Sequence, residues 1–201
     1  MRFEEKYFVE SNYSNYRDYR KRKFIGMVQD LITTTGIIYR YRILDFGCAT
    51  GGLVNELRKH GFLDAIGTDI SYWAIEYGRK AFGLSSDVLQ HYNRQLLEKS
   101  FDYVLFTDVL EHVPTEEINL MLGMLKIDRI VLRVPVSNEE GEDYVLCVHR
   151  NDKTHIQIHT KGWWNNLMTR FGFLQIGIFE GETIFESEGV LARVYTRDSV
   201  G

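Results

Sequence analysis

Apolar residues follow two kinds of pattern along the chain, a helical spacing and short apolar runs, which predict alternating helices and strands. Phe24, Met27, Val28 and Leu31 follow the i, i+3, i+4, i+7 spacing of an amphipathic helix, expected over residues 16–34. Short apolar runs bounded by glycine or polar residues predict buried strands. Such runs occupy residues 41–46, 65–69, 101–107, 129–134, 174–179 and 190–196, and a weaker one lies near 83–87.

Helices are predicted between most of these strands. One holds Leu53 and Leu57 and ends at Gly61, and another begins after Ser71, a good N-terminal cap. Further helices are expected over residues 115–125 and 161–171. Alternating strands and helices indicate a parallel sheet with right-handed crossovers. The last two strands, joined by residues 180–182, predict a hairpin, so one of them would be antiparallel.

Composition limits the classes of protein to consider. The chain has 201 residues, a formal charge of −4 and two cysteines, Cys48 and Cys147. The length suits one domain, the charge gives no general attraction to nucleic acid, and two cysteines make no disulfide framework. The sequence shows no signal peptide and no apolar stretch near the roughly 20 residues that span a bilayer. We expect a cytoplasmic protein with no membrane partner.

The strongest motif is the segment ILDFGCATGG at residues 43–52. A strand that runs through glycines into a helix brings backbone N–H groups close to a ligand at the carboxyl edge of the sheet. The spacing of Gly47 and Gly51 differs from the three-glycine dinucleotide fingerprint. Asp45 would repel a pyrophosphate and attract an ammonium group. The motif therefore favours a zwitterionic nucleoside over NAD.

Two further segments end at the same edge of the predicted sheet. Asp69 closes the second strand, 24 positions after Asp45, where a carboxylate can accept hydrogen bonds from both ribose hydroxyls. The apolar run at residues 101–107 ends in Thr107 and Asp108 and continues into Glu111-His112.

Together these segments resemble class I S-adenosylmethionine-dependent methyltransferases, and within them the ubiquinone-type O-methyltransferase group. The similarity covers residues 41–136 and extends more faintly to 173. It implies a Rossmann-like three-layer α/β sandwich with a mostly parallel seven-stranded sheet, an antiparallel C-terminal strand and helices on both faces. Residues 1–35 would form a helical lid, and residues 36–201 would form the catalytic domain.

The resemblance also implies a cofactor site for S-adenosylmethionine, which leaves as S-adenosylhomocysteine. Its residues would be Asp45, Phe46, Gly47, Cys48, Ala49, Gly51, Asp69, Ile70, Ser71, Asp87, Val88, Thr107 and Asp108. Asp45 would hold the methionine part, Asp69 the ribose and Asp87 the adenine amino group. The sequence departs from the family pattern at Ala49, where glycine is usual, and at residues 126–128, which replace a glycine pair.

The histidines leave several interpretations open. His112 and His155 are the candidates for a general base, and His112 alternatively packs over the cofactor. If residues 155–159 form a strand, His155 and His159 share one face, and with His149 they invite a metal interpretation. We favour an acceptor contact there and expect no metal.

We therefore predict a methyltransferase enzyme (EC 2.1.1.-) that acts on a small molecule, with O-methylation as the expected reaction. A methyltransferase for RNA or protein is the alternative, kept open by the basic segment at residues 17–23. A non-catalytic nucleotide-binding module is the third possibility. The sequence contains no pattern that identifies the methyl acceptor or the oligomeric state.

Overall fold

A computed structural model describes residues 3–10 and 21–198 of the chain. Within them the strands are β1 (Ile43–Phe46), β2 (Ala65–Asp69), β3 (Leu89–His91), β4 (Ser100–Thr107), β5 (Lys126–Pro135), β6 (Phe173–Ile178) and β7 (Val190–Arg197). The α-helices are α1 (Glu5–Glu10), α2 (Lys21–Thr35), α3 (Gly52–Lys59), α4 (Tyr72–Phe82), α5 (Thr115–Met124), α6 (Cys147–Arg150) and α7 (Lys161–Arg170). Two 3₁₀ turns cover Arg94–Glu98 and Leu110–His112.

The strands form one seven-stranded sheet in the order β3-β2-β1-β4-β5-β7-β6. The first five strands pair in parallel, whereas β7 is antiparallel to both β5 and β6. β7 therefore runs against all the others. The predicted fold class, a Rossmann-like sheet with an antiparallel C-terminal strand, is confirmed.

Alternation along the central strands builds a core on each face of the sheet. On β4, Val104 and Phe106 pack in a cluster with residues of α5 and α7, while Leu105 packs in a cluster with residues of α2 and α3. Successive side chains of a strand point to opposite faces, so a strand covered on both sides must be apolar throughout. This is why residues 103–106 of β4 form a continuous apolar run.

The third strand lies later in the chain than the sequence pattern predicted. A strand was expected near residues 83–87, but α4 continues to Phe82, and Gly83 ends it with a left-handed φ of 66°. A turn follows in which Val88 N donates to Ser85 O, and β3 begins only at Leu89. Three residues are too few for a periodic signal. Pairing with β2, as in Gly67 with Leu89, defines this strand.

The segment 155–159 is not a strand, so the condition under which His155 and His159 would share one face is not met. The backbone N–H groups of Ile156 and Gln157 both donate to Glu111 O, at 2.8 and 3.1 Å. These bonds tie the segment to the turn after β4 and leave it irregular.

The elements near the two ends of the described chain agree in part with those predicted from the sequence. α2 ends at Thr35, close to the predicted end, while residues 16–20, with Arg17 and Arg20, lie outside the described residues. The C-terminal hairpin is confirmed, although its connection spans residues 179–189 and contains bridges of its own. Among the described helices, none combines the length and apolarity needed to cross a bilayer.

Candidate active site

A cavity of about 240 Å³ opens at the carboxyl edge of the sheet. Gly47 after β1, Asp69 at the end of β2 and Asp108 after β4 all line it. β1 and β4 are neighbours in the sheet although β2 and β3 separate them in the sequence. The chain winds in opposite directions on either side of such a switch point, which leaves a crevice where ligands bind in open α/β sheets.

The glycine turn forms one wall of the cavity. Gly47 has a φ of 74°, and its N–H and that of Cys48 donate to Thr68 O at 2.8 and 3.0 Å. A Cβ at position 47 would overlap the Val109 side chain. Gly51 also has a left-handed φ of 75°, and a Cβ there would meet the methyl groups of Leu89. Both glycines are therefore required by the fold of the turn itself.

Asp69 is held rigidly at the edge of the cavity. Its two carboxylate oxygens accept hydrogen bonds from Ala49 N and Ser71 N, each at 2.8 Å, and only 8% of the residue is exposed. Burial raises the pKa of Asp69, while those two backbone donors act in the opposite direction. Each oxygen retains lone-pair capacity, so the carboxylate can still accept hydrogen bonds from a ligand in the cavity.

Six of the predicted cofactor residues line the cavity: Phe46, Gly47, Ala49, Asp69, Ile70 and Asp108. The others, which are Asp45, Cys48, Gly51, Ser71, Asp87, Val88 and Thr107, do not contribute to its lining.

Asp87 and Val88 fall outside for a topological reason. They precede β3, at the amino end of that strand, whereas the cavity lies at the carboxyl ends. Asp87 is exposed, and Tyr92, which follows β3 at the correct edge, lines the cavity instead. Because β3 begins later in the chain than expected, Asp87 lies at its amino end, and the contact of Asp87 with adenine stays a prediction.

Cys48 and Ser71 have structural roles, Cys48 in the glycine turn and Ser71 at the start of α4. The Ser71 hydroxyl caps α4 by accepting a hydrogen bond from Ala74 N at 3.1 Å. Burial, with the nearby carboxyls of Asp45 and Asp69, raises the pKa of the Cys48 thiol, which therefore stays protonated. Cys48 is a packing residue and not a nucleophile.

The other end of the cavity carries Glu111, His112 and His155, which come from two separate segments. Glu111 is 1% exposed, and burial and the charge of Asp108 hold its pKa well above the usual range. Burial lowers the pKa of His112, and burial with the neighbouring His112 lowers that of His155. The imidazole rings lie 4.6 Å apart between centroids.

The segment that brings His155 to this end is anchored by side chains as well as by its backbone. Gln157 Nε2 donates to Val113 O at 2.8 Å, and Tyr144 OH donates to Gln157 O at 2.7 Å. The sequence predicted both His112 and His155 as site residues, and the structure brings them together. The sequence analysis did not identify Thr68, Tyr92 or Asp152 as lining residues, because no local sequence pattern distinguishes them.

α1 packs across this end of the cavity. Phe3 and Tyr7 lie edge-on to His112, at 5.6 and 6.5 Å between ring centroids. Phe8 is buried and stacks on Trp73 of α4 at 5.7 Å. The N-terminal aromatic residues therefore form part of the cavity wall.

The lining suits a cationic or zwitterionic ligand. Asp69, Asp108 and Asp152 are acidic, and Lys23 is the one lysine in the described lining. The buried hydroxyl of Thr68 has no hydrogen-bond partner among the described residues and borders the same space. A nucleoside with an ammonium group fits these features, whereas a pyrophosphate would be repelled.

Fold and site together define a Rossmann-like protein with a cavity for a nucleoside cofactor. The family model described as "Methyltransferase domain" matches residues 16–175. The chain belongs to this family, and the predicted class of enzyme, a methyltransferase dependent on S-adenosylmethionine, is confirmed at that level. The ubiquinone-type subgroup stays a prediction. Among curated proteins, none matches this sequence significantly.

Solved structures share the fold at low identity. Magnesium protoporphyrin IX methyltransferase from Synechocystis PCC 6803 with bound S-adenosylhomocysteine is 20% identical, with a TM-score of 0.62 over 90% of this chain and 85% of that chain. Its complex with S-adenosylmethionine is 19% identical, with a TM-score of 0.61 over 96% and 89%. A methyltransferase from Archaeoglobus fulgidus is 18% identical, with a TM-score of 0.62 over 91% and 100%.

Proposed function

We propose that this protein transfers the methyl group of S-adenosylmethionine to an oxygen atom of a small-molecule acceptor. The observation that carries the proposal is that one cavity joins Asp69 and the glycine turn to His112 and His155. The first end has the acid and the backbone turn that a nucleoside needs, and the second end has polar groups where an acceptor would enter.

The residues of the cofactor end have distinct tasks in this proposal. Asp69 accepts hydrogen bonds from the ribose hydroxyls, Ile70 packs on the adenine, and Asp45 beneath the turn attracts the ammonium group. Gly47, Phe46 and Ala49, which has a left-handed φ of 49°, shape the wall. S-adenosylmethionine, when bound, supplies an electrophilic methyl group on a sulfonium that is an excellent leaving group.

The protein would act mainly by orienting the two reactants and excluding water. S-adenosylmethionine, when bound, would supply its methyl group to the acceptor oxygen and keep the electron pair of the broken bond on sulfur, while the hydroxyl proton of the acceptor would pass to His112 or His155. Holding two reactants in line can lower a barrier by about 7–11 kcal/mol. The polar groups of His112 and His155 would position the acceptor oxygen.

A small acceptor is favoured over RNA or protein because residues 3–10, which include α1, cover the acceptor end. Phe3 and Tyr7 pack against His112, so a polymer would have to displace them. The acidic lining and the chain charge of −4 also disfavour a polyanion. In this proposal residues 1–35 act as the lid of the catalytic domain.

Calorimetric titration with S-adenosylmethionine, S-adenosylhomocysteine and NAD tests the cofactor assignment. We expect micromolar binding of the first two and none of NAD. Asp69→Asn should weaken binding about tenfold to a hundredfold, the worth of hydrogen bonds to a charged group. Asp64→Asn, at an exposed acid outside the cavity, is the matched control and should bind as the wild type does. Binding of NAD alone would refute the proposal.

A further inference from the structure

Glu111 is a buried carboxyl group that the methyl-transfer proposal leaves unexplained. It lies in the 3₁₀ turn after β4, is 1% exposed, and has no hydrogen-bond partner for either carboxyl oxygen among the described residues. A buried polar group without a hydrogen-bond partner destabilises the folded protein, and more so when it is charged. Such a group at a cavity wall is expected to have a ligand.

Two imidazoles meet this carboxyl group. One donor atom from each of Glu111, His112 and His155 lies within 4.8 Å of the other two. His155 Nδ1 is also buried and without a hydrogen-bond partner in the described chain. Three potential ligand atoms therefore converge, and two of the three residues have unused capacity there.

We propose that Glu111, His112 and His155 bind a divalent first-row transition-metal ion. One carboxylate and two imidazoles form a donor set that suits zinc, manganese or iron better than magnesium or calcium, which prefer oxygen. Three protein ligands leave coordination positions open, which is the arrangement of catalytic sites and not of closed structural ones.

Hydrogen bonds around the cluster orient the His112 ring for this role. Thr154 Oγ1 donates to Asp152 Oδ1 at 2.6 Å, so its lone pair can accept from His112 Nδ1 at 2.8 Å. That bond places the proton on Nδ1 and leaves the Nε2 lone pair for a metal. Ring nitrogens of metal-bound histidines are usually held in this way.

His155 presents the opposite ring nitrogen. Its Nε2 lies 3.7 Å from Asp152 Oδ2, so Nδ1 is the nitrogen that remains for the ion. The same Asp152 thus supports both imidazoles from outside the cluster. The backbone bonds from Ile156 and Gln157 to Glu111 O hold the two ligand segments together before any ion binds.

The ion would have a task in methyl transfer, an extension that rests on the proposed function. The cluster borders the same cavity as Asp69, so an acceptor oxygen on an open position of the ion would face the methyl donor. A bound divalent ion lowers the pKa of a coordinated hydroxyl, whose proton would pass to water. His112 and His155 would then act as ligands and not as bases.

The test is a titration of chelator-treated protein with Zn²⁺, Mn²⁺ and Mg²⁺, followed by calorimetry, with electron paramagnetic resonance for Mn²⁺. We expect one Zn²⁺ or Mn²⁺ per chain and weaker binding of Mg²⁺. Glu111→Gln and His155→Ala should each lower the affinity at least tenfold. His60→Ala, at the C-terminal end of α3, should leave it unchanged.

Glu111→Gln is expected to fold, because the carboxyl group it replaces makes no hydrogen bond among the described residues. Absence of Zn²⁺ and Mn²⁺ binding, tighter binding of Mg²⁺, or equal affinity in the wild type and both variants would overturn the metal site. S-adenosylmethionine binding, measured on the same samples, separates the two proposals. Cofactor binding without metal refutes only the metal site, and metal binding without cofactor refutes only the methyltransferase assignment for this cavity.

Discussion

Asp45 and Asp69 are both buried beneath the glycine turn, within range of each other's charge. Burial, with a further contribution from Asp69, raises the pKa of Asp45 to about 8. In the cofactor-free protein Asp45 is therefore protonated at neutral pH. Protonated Asp45 contributes fully to the stability of the folded protein below about pH 3.8, the pKa of this group in the unfolded chain. The contribution is lost as the pH rises towards 8, the pKa in the folded protein.

Cofactor binding should consequently release a proton. The ammonium group of S-adenosylmethionine favours ionised Asp45, so between about pH 5.5 and 7 the affinity should rise with pH, by at most tenfold per unit. Calorimetry in buffers of different ionisation enthalpy measures the proton. Asp45→Asn should remove most of the release, and Asp64→Asn should retain it. A pH-independent affinity in the wild type would contradict the assignment of Asp45 to the ammonium group.

Gly47 and Gly83 share a left-handed backbone but differ in their surroundings. A Cβ on Gly83 would have no other atom within 4 Å, whereas a Cβ on Gly47 would overlap Val109. Gly83→Ala should therefore lower the free energy of unfolding by about 1 kcal/mol, the backbone penalty alone. Gly47→Ala should lose about 1–3 kcal/mol more through overpacking. Urea unfolding measures both, and equal losses would show that Val109 moves aside freely.

At the scale of elements, α1 depends on its contacts. A six-residue helix is not stable by itself in water. Phe8 packs with Ala49 and Ala74 in a small buried cluster and stacks on Trp73. This cluster joins the N-terminal segment to the glycine turn and to α4, so the position of α1 is coupled to the cofactor end of the cavity.

Phe8→Ala should release α1 from the domain. Truncating a buried phenylalanine costs about 3–5 kcal/mol, more than so short a helix can withstand. We expect faster hydrogen exchange over residues 3–10 and severalfold weaker cofactor binding, with little change in the unfolding of the sheet. Phe185→Ala, at a 41% exposed ring outside the cavity lining, is the control. Unchanged exchange in the Phe8 variant would mean that α1 is held by other contacts.

Elements with strong local signals were predicted well. β2 was expected at residues 65–69 and lies there, and Ser71 caps α4 as its position suggested. The local pattern did not predict the conformation of β3 or of the segment 155–159, because long-range hydrogen bonds determine both. β3 exists through its pairing with β2, and the bonds of Ile156 and Gln157 to Glu111 O override an alternating pattern.

At the scale of the whole molecule, the sheet order concentrates the chemistry at one edge. In the sheet β2 and β3 lie on one side of β1, β4 lies on the other side, and the remaining strands extend the sheet beyond β4. The switch point places Gly47, Asp69 and Asp108 around one cavity. The loop between β5 and α7 returns over this edge and closes the acceptor end with His155.

The sequence by itself determined the fold class, the glycine turn and the family, because each depends on residues close together in the chain. Apolar runs specify buried strands, and a strand followed by glycines specifies the turn. Only the tertiary structure decided that Tyr92 and not Asp87 borders the cavity, and that His155 meets Glu111 and His112. That cluster joins residues far apart in the chain through loops, where no period in the sequence records which partner a side chain will meet.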